Sequence, residues 1–259
     1  MTDAGQPIEL TTHVAARPAT VLRFFTDPER FAAWFGAGST IDPVPGGKFR
    51  VAYPGGAGAA GEVVELGARR VVLTWGIEGD PDLPPGASTV EVTLTEAGGG
   101  TSVRFVQSGL PDEDRRLGQA AGFTHALAVL AAQSAGAEAG QAAERLADQV
   151  TAAFNSDDGA ARLALLEACW AGGGTFRDPQ ANVAGRAALD AHIAAVRRFA
   201  AGSSLVRGTV AVSHRELLWP WRIEAADGAV WAAGTNHATV DPEGRIVAMT
   251  GFWSDTGER

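Results

Sequence analysis

A chain of 259 residues, 46% of them apolar, has material for one large domain or two ordinary ones, each with its own core. Its formal net charge is −9, and no basic run exceeds the pairs Arg69-Arg70, Arg115-Arg116 and Arg197-Arg198, which excludes the clustered cationic surface that nucleic acid requires. The single cysteine, Cys169, excludes an internal disulfide, and no stretch approaches the roughly 20 apolar residues of a membrane span.

Met1-Thr2-Asp3-Ala4-Gly5 lacks the basic region and apolar core of a signal peptide, so a cytoplasmic location is expected. Ile8 to Val14 alternates apolar and polar residues and predicts a half-buried strand. Pro18 starts a short helix over 19–25, and Thr26-Asp27-Pro28 ends it and caps a second over 29–35. Five strand-like runs follow at 48–53, 61–66, 70–77, 89–95 and 101–107, separated by Gly, Pro and Asp turns. Pro111-Asp112-Glu113 then caps a long helix over 114–133. An antiparallel sheet of that length curls, and a long helix closes its open side around a natural ligand cavity. Gly56-Ala57-Gly58-Ala59-Ala60-Gly61 fits a dinucleotide-binding spacing. The residues after it predict a strand rather than the required helix, so a hairpin loop is expected.

Thr26-Asp27-Pro28-Glu29, Trp34-Phe35, Pro45-Gly46-Gly47-Lys48-Phe49 and Gly122-Phe123 with Leu127 and Leu130 give this half its character. Over residues 6–134 it resembles the SRPBCC (START-like) superfamily, in the branch of the heat-shock-protein-90 ATPase activator type domain. The resemblance implies a helix-grip fold: a curved antiparallel sheet closed by a long C-terminal helix. Trp34, Trp75 and Phe123 are the candidate ligand-binding residues of its cavity; the same side chains would be apolar if they only filled a core.

The Ala/Gly/Ser-rich stretch 134–140 marks a change of pattern. The expected organisation is therefore a first domain over 1–134, a linker over 135–140 and a second domain over 141–259. Leu146, Val150 and Phe154 fall four apart on one helical face. Asn155-Ser156-Asp157-Asp158 caps a helix over 160–170, Gly172-Gly173-Gly174 is read as a break, and 175–179 is extended. A third helix over 187–200 precedes strand-like runs at 205–213, 217–224, 230–240 and 246–253. Pro220 inside one run predicts an edge strand or a bulge.

Phe154-Asn155, Phe176-Arg177-Asp178-Pro179, Gly185-Arg186-Ala187-Ala188-Leu189, Gly234-Thr235-Asn236-His237 and the run from Asp241 to Gly251 mark the second half. It resembles the nuclear-transport-factor-2-like, SnoaL-like superfamily, which implies an α+β fold of two-domain character overall, with a cone-shaped α+β barrel here. Polyketide cyclases and ketosteroid-isomerase-like enzymes belong to that superfamily. The resemblance implies Asp178 as a general base and Asn236 as the hydrogen-bond donor to an enolate oxygen. It puts Val150 where a donating tyrosine is the rule. Asp-Pro is equally a common turn pair, so Asp178 also fits a turn. Trp170, Phe176, Met249 and Trp253 are the candidate ligand-binding residues. Trp219, Trp221 and Trp231 are read as candidates for the outer sheet face, through which a homodimer is expected.

The five histidines, His13, His125, His192, His214 and His237, have no metal-ligand spacing, so neither metal nor cofactor is expected. The expected partner is a small apolar molecule, with no nucleic acid and no membrane. The functions in view are hydrophobic-ligand binding with isomerase- or cyclase-type proton transfer, or a non-enzymatic co-chaperone-like module.

Overall fold

The computed structural model describes residues 6–56 and 58–254. Met1–Gly5 and Ala57 of the glycine run lie outside the described residues. The chain is mixed α+β and divides into two compact units, Met1–Glu138 and Ala139–Arg259.

Local punctuation sets the opening of unit 1. β1 (Ile8–Val14) leads to α1 (Pro18–Thr26), which carries Pro18 in its first turn where no backbone N–H is needed. The Asp27 side chain accepts from the N–H groups of Glu29 and Arg30 and so caps α2 (Pro28–Phe35). Then come β2 (Thr40–Ile41), β3 (Lys48–Ala52), β4 (Gly58–Leu66), β5 (Arg70–Ile77), β6 (Ser88–Ala97) and β7 (Gly100–Ser108). They form one antiparallel sheet in the order β1-β7-β6-β5-β4-β3-β2. The glycine run belongs to the β3–β4 hairpin, with a strand from Gly58 where a dinucleotide site needs a helix.

The long helix α3 (Glu113–Asn155) supplies both units. Phe123, Leu127 and Leu130 enter the unit 1 core with Phe25, Phe31 and Phe105. Residues 135–140, expected as a linker, are helical throughout. Gly136 and Gly140 cost about 1 kcal/mol each relative to alanine. Against that, Ala135, Ala137 and Ala139 are strong helix formers, and Ala137 packs on the unit 1 core. The Glu138 carboxylate accepts from the buried Thr20 hydroxyl and from Arg17 Nε at 2.7 Å. A hydrogen bond to a charged group contributes roughly 1.5–3 kcal/mol, so these anchors offset the glycines.

Unit 2 continues with α4 (Gly159–Cys169), capped by Asp158. β8 (Trp170–Asp178), β9 (Ala181–Ala184), α5 (Arg186–Phe199), β10 (Ser204–Arg207), β11 (Ala211–Ser213), β12 (Glu216–Glu224), β13 (Val230–Val240) and β14 (Ile246–Ser254) complete it. The sheet runs β10-β12-β13-β14-β8-β9, with β11 also on β12 and the β14–β8 pair parallel. β10 and β9 are its edges, and the expected cone-shaped α+β unit is built on an open sheet.

Two sequence expectations change here. Gly172-Gly173-Gly174 does not break the chain but lies within β8. Between Trp170 and Thr175 the β8 register against β14 slips, and the glycines absorb the slip. A Cβ on Gly174 would overlap the Trp170 indole nitrogen, so only glycine lets the strand fold back over that ring. Pro220 sits in β12, which has neighbours on both sides. On the flank where its carbonyl accepts from Gly208 N–H, at 2.8 Å, the ladder is interrupted and the partner is split into β10 and β11. The missing proline N–H faces that gap.

Trp170, Cys169, Leu166, Leu189, Ile193 and Trp219 are fully buried at the centre of the unit 2 core. Burial pushes the Cys169 thiol up to about 11.

Candidate functional site

Unit 2 holds a cavity of about 470 Å³ between α5 and the inner face of β12, β13 and β14. Five of the expected site residues line it: Asp178, Asn236, Phe176, Met249 and Trp253. Their convergence follows from register. Asn236 pairs with Gly251, and Gly251 lies against the end of β8 that carries Asp178. A Cβ at position 251 would sit 3.3 Å from Asn236 Oδ1 and 3.4 Å from Asp178 Cβ. The bare glycine therefore leaves open space between the two polar groups.

Asn236 is 6% exposed, and no protein group among the described residues hydrogen-bonds its amide. Asp178 is half-buried. Its Oδ1 accepts from the N–H groups of Gln180 and Ala181 at 2.8 and 2.6 Å, closing the β8–β9 turn. Oδ2 takes no protein partner among the described residues. Asp178 thus has a turn role through one oxygen and a cavity-facing position beside the other.

Trp170 is the exception among the expected residues. It is fully buried beneath Gly174 in the core and does not reach the cavity. Val150 is also in the core, so the position implied for a tyrosine contributes neither donor nor wall. The three tryptophans read as outer-face candidates lie elsewhere. Trp219 is buried in the core, Trp221 forms part of the cavity wall, and Trp231 stands at the mouth, 51% exposed. Trp231 is out of phase with Asn236, but the β12–β13 register shifts between Ile223 and Glu224, just across from it. A bulge there re-aims the strand end.

Several wall residues went unread in the sequence. Trp221 packs edge-on to Trp253, with ring centroids 5.7 Å apart and planes at 78°. Its signal was its cross-strand partner, Gly234, where a Cβ would lie 2.7 Å from the indole. Phe154 and His192 flank Phe176 with ring centroids at 5.6 and 5.4 Å. Asn155 fixes Phe154 in place by a two-way bond with the Leu205 backbone, at 2.8 and 2.7 Å. Phe199 ends α5 at the mouth, 91% exposed.

Unit 1 holds a second cavity, of about 780 Å³, lined by Trp34, Trp75 and Phe123. The Trp75–Phe123 centroids are 4.9 Å apart, and Trp34 joins the same aromatic set through Phe35. Both indoles are satisfied: Trp34 Nε1 donates to the Phe24 carbonyl and Trp75 Nε1 to Gln119 Oε1, each at 3.0 Å. On the α3 side, Gly118 and Gly122 leave the cavity open where side chains would fill it.

Among the described residues, no group of three or more His, Cys, Asp or Glu side chains gathers to hold a metal, and no helix is long and apolar enough to cross a membrane.

A helix-grip unit and an open-cone unit, each around its own cavity, define a two-unit α+β protein. Residues 15–134 match the family described as activator of Hsp90 ATPase homolog 1-like protein. Among solved structures, an AHSA1-like protein from Rhizobium etli is 36% identical, over 51% of this chain and 82% of that one, with a TM-score of 0.42. A candidate isomerase of the SnoaL-like family from Agrobacterium tumefaciens is 28% identical, over 44% of this chain and 99% of that one, with a TM-score of 0.43. The C-terminal half resembles the SnoaL-like superfamily. The Aha1 dimer from Colwellia psychrerythraea is 16% identical, over 49% of this chain and 94% of that one, with a TM-score of 0.44. No curated protein matches the chain.

Proposed function

We propose that unit 2 binds a small, largely apolar molecule that offers one carbonyl or hydroxyl group to Asn236. The observation that carries this reading is the Asn236 amide, nine-tenths buried on an apolar wall and unpaired by protein. A ligand oxygen that pairs with it fixes the ligand's orientation and contributes roughly 0.5–1.5 kcal/mol, while the aromatic wall supplies the bulk of the affinity. Asn236→Ala is expected to weaken binding of a naphthyl ketone about ten-fold, read by quenching of tryptophan emission, and to leave binding of the parent hydrocarbon unchanged. Equal loss for both probes would remove Asn236 from recognition.

The same geometry supports proton transfer beside the bound carbonyl. Asp178 Oδ2 is uncommitted and shares the space over Gly251 with Asn236. One donor in place of two makes a weak oxyanion site, so turnover is slow.

For unit 1, the match of residues 15–134 to the Hsp90-activator-like family supports a co-chaperone function. The full chain is then expected to stimulate the ATPase of an Hsp90-type chaperone. Absence of both stimulation and a stable complex would reject that function and leave the 780 Å³ cavity as the active feature of the unit.

A further inference from the structure

We propose that the ligand of the unit 2 cavity carries a cationic nitrogen, a protonated or quaternary amine, on its apolar body. The inference rests on the reading of unit 2 as a binding cavity and adds the charge of the ligand. It starts from what the wall lacks: no lysine or arginine side chain lines the cavity among the described residues. Its titratable groups are Asp178 and His192, and the His192 ring is stacked toward Phe176. The wall therefore carries a carboxylate and no lysine or arginine, and one carboxylate oxygen is left free by its turn.

The rest of the wall adds to the same sign. Trp221 and Trp253 meet at 78° and present two walls of an aromatic corner. Trp231 and Phe199 stand at the mouth, 51% and 91% exposed. Aromatic faces carry negative quadrupole charge and attract ammonium groups within about 6 Å of the ring centre. A mouth of exposed rings is poorly explained by packing, since these residues bury little of themselves. An anionic ligand would meet Asp178 with no cation to balance it. A neutral one would leave the Asp178 carboxylate without a countercharge.

The test compares octyltrimethylammonium, octanol and octanoate on the full chain, each below its micelle concentration, by tryptophan fluorescence. The ammonium probe is expected to bind roughly three- to thirty-fold more tightly than the alcohol, and octanoate most weakly. Asp178→Asn and, separately, Trp231→Leu are expected to lower ammonium affinity more than octanol affinity, narrowing the gap between the two probes. Trp231 is half exposed, so its replacement spares the core. Octanol binding as tightly as the ammonium probe, or octanoate binding best, would overturn the cationic assignment and leave the cavity reading intact. If none of the three binds, the cavity reading and the assignment fall together.

Discussion

Asp178→Asn is expected to lower proton transfer on a β,γ-unsaturated ketone by roughly 10²–10⁴-fold, the usual contribution of a positioned general base. The substitution is clean because of how the carboxylate is shared. Oδ1 accepts from the N–H groups of Gln180 and Ala181. An asparagine carbonyl accepts the same two bonds, so the β8–β9 turn and the melting temperature are expected to stay nearly unchanged. What the amide lacks is a site for the transferred proton at Oδ2. Asn236→Ala is expected to cost less in rate, because it removes one donor and no base. A variant Asp178→Asn that turns over at the wild-type rate would assign the residue wholly to its turn.

Trp170→Ala is expected to cost roughly 3–5 kcal/mol, the range for emptying a fully buried tryptophan site. Trp170 touches Gly174, whose missing side chain exists to accommodate the ring. We infer that the two units unfold separately, because each has its own core. Calorimetry of the variant should therefore show the unit 2 transition lowered and the unit 1 transition in place. A single transition that moves as a whole would show that the units melt as one.

The sequence was most readable where one residue type enforces one geometry. Pro18, Asp27 and Pro28 placed α1 and α2, and alternation placed β1, because caps and pleats are decided within a few residues. It was least readable where a distant partner overrides local preference. The glycines at 136 and 140 argue against a helix until Arg17 and Thr20 are seen to hold Glu138. The three glycines after Ala171 look like a break until the Trp170 ring is placed beneath them. Pro220 looks like an edge residue until the ladder is seen to split opposite it. In the cavity, Asp178 and Asn236 were legible because they sit in short motifs. Trp221, Phe199 and Trp231 were not, since their role depends on which end of the sheet opens.

Cys169 turns the architecture into a measuring device. It is the only thiol in the chain, it is wholly shielded, and its environment holds it almost entirely protonated at neutral pH. A maleimide or iodoacetamide in the surrounding solution has nothing to react with until the layer around Trp170 opens. The mass added over time then counts opening events of the C-terminal half alone, in the intact protein, because the other half has no cysteine to label.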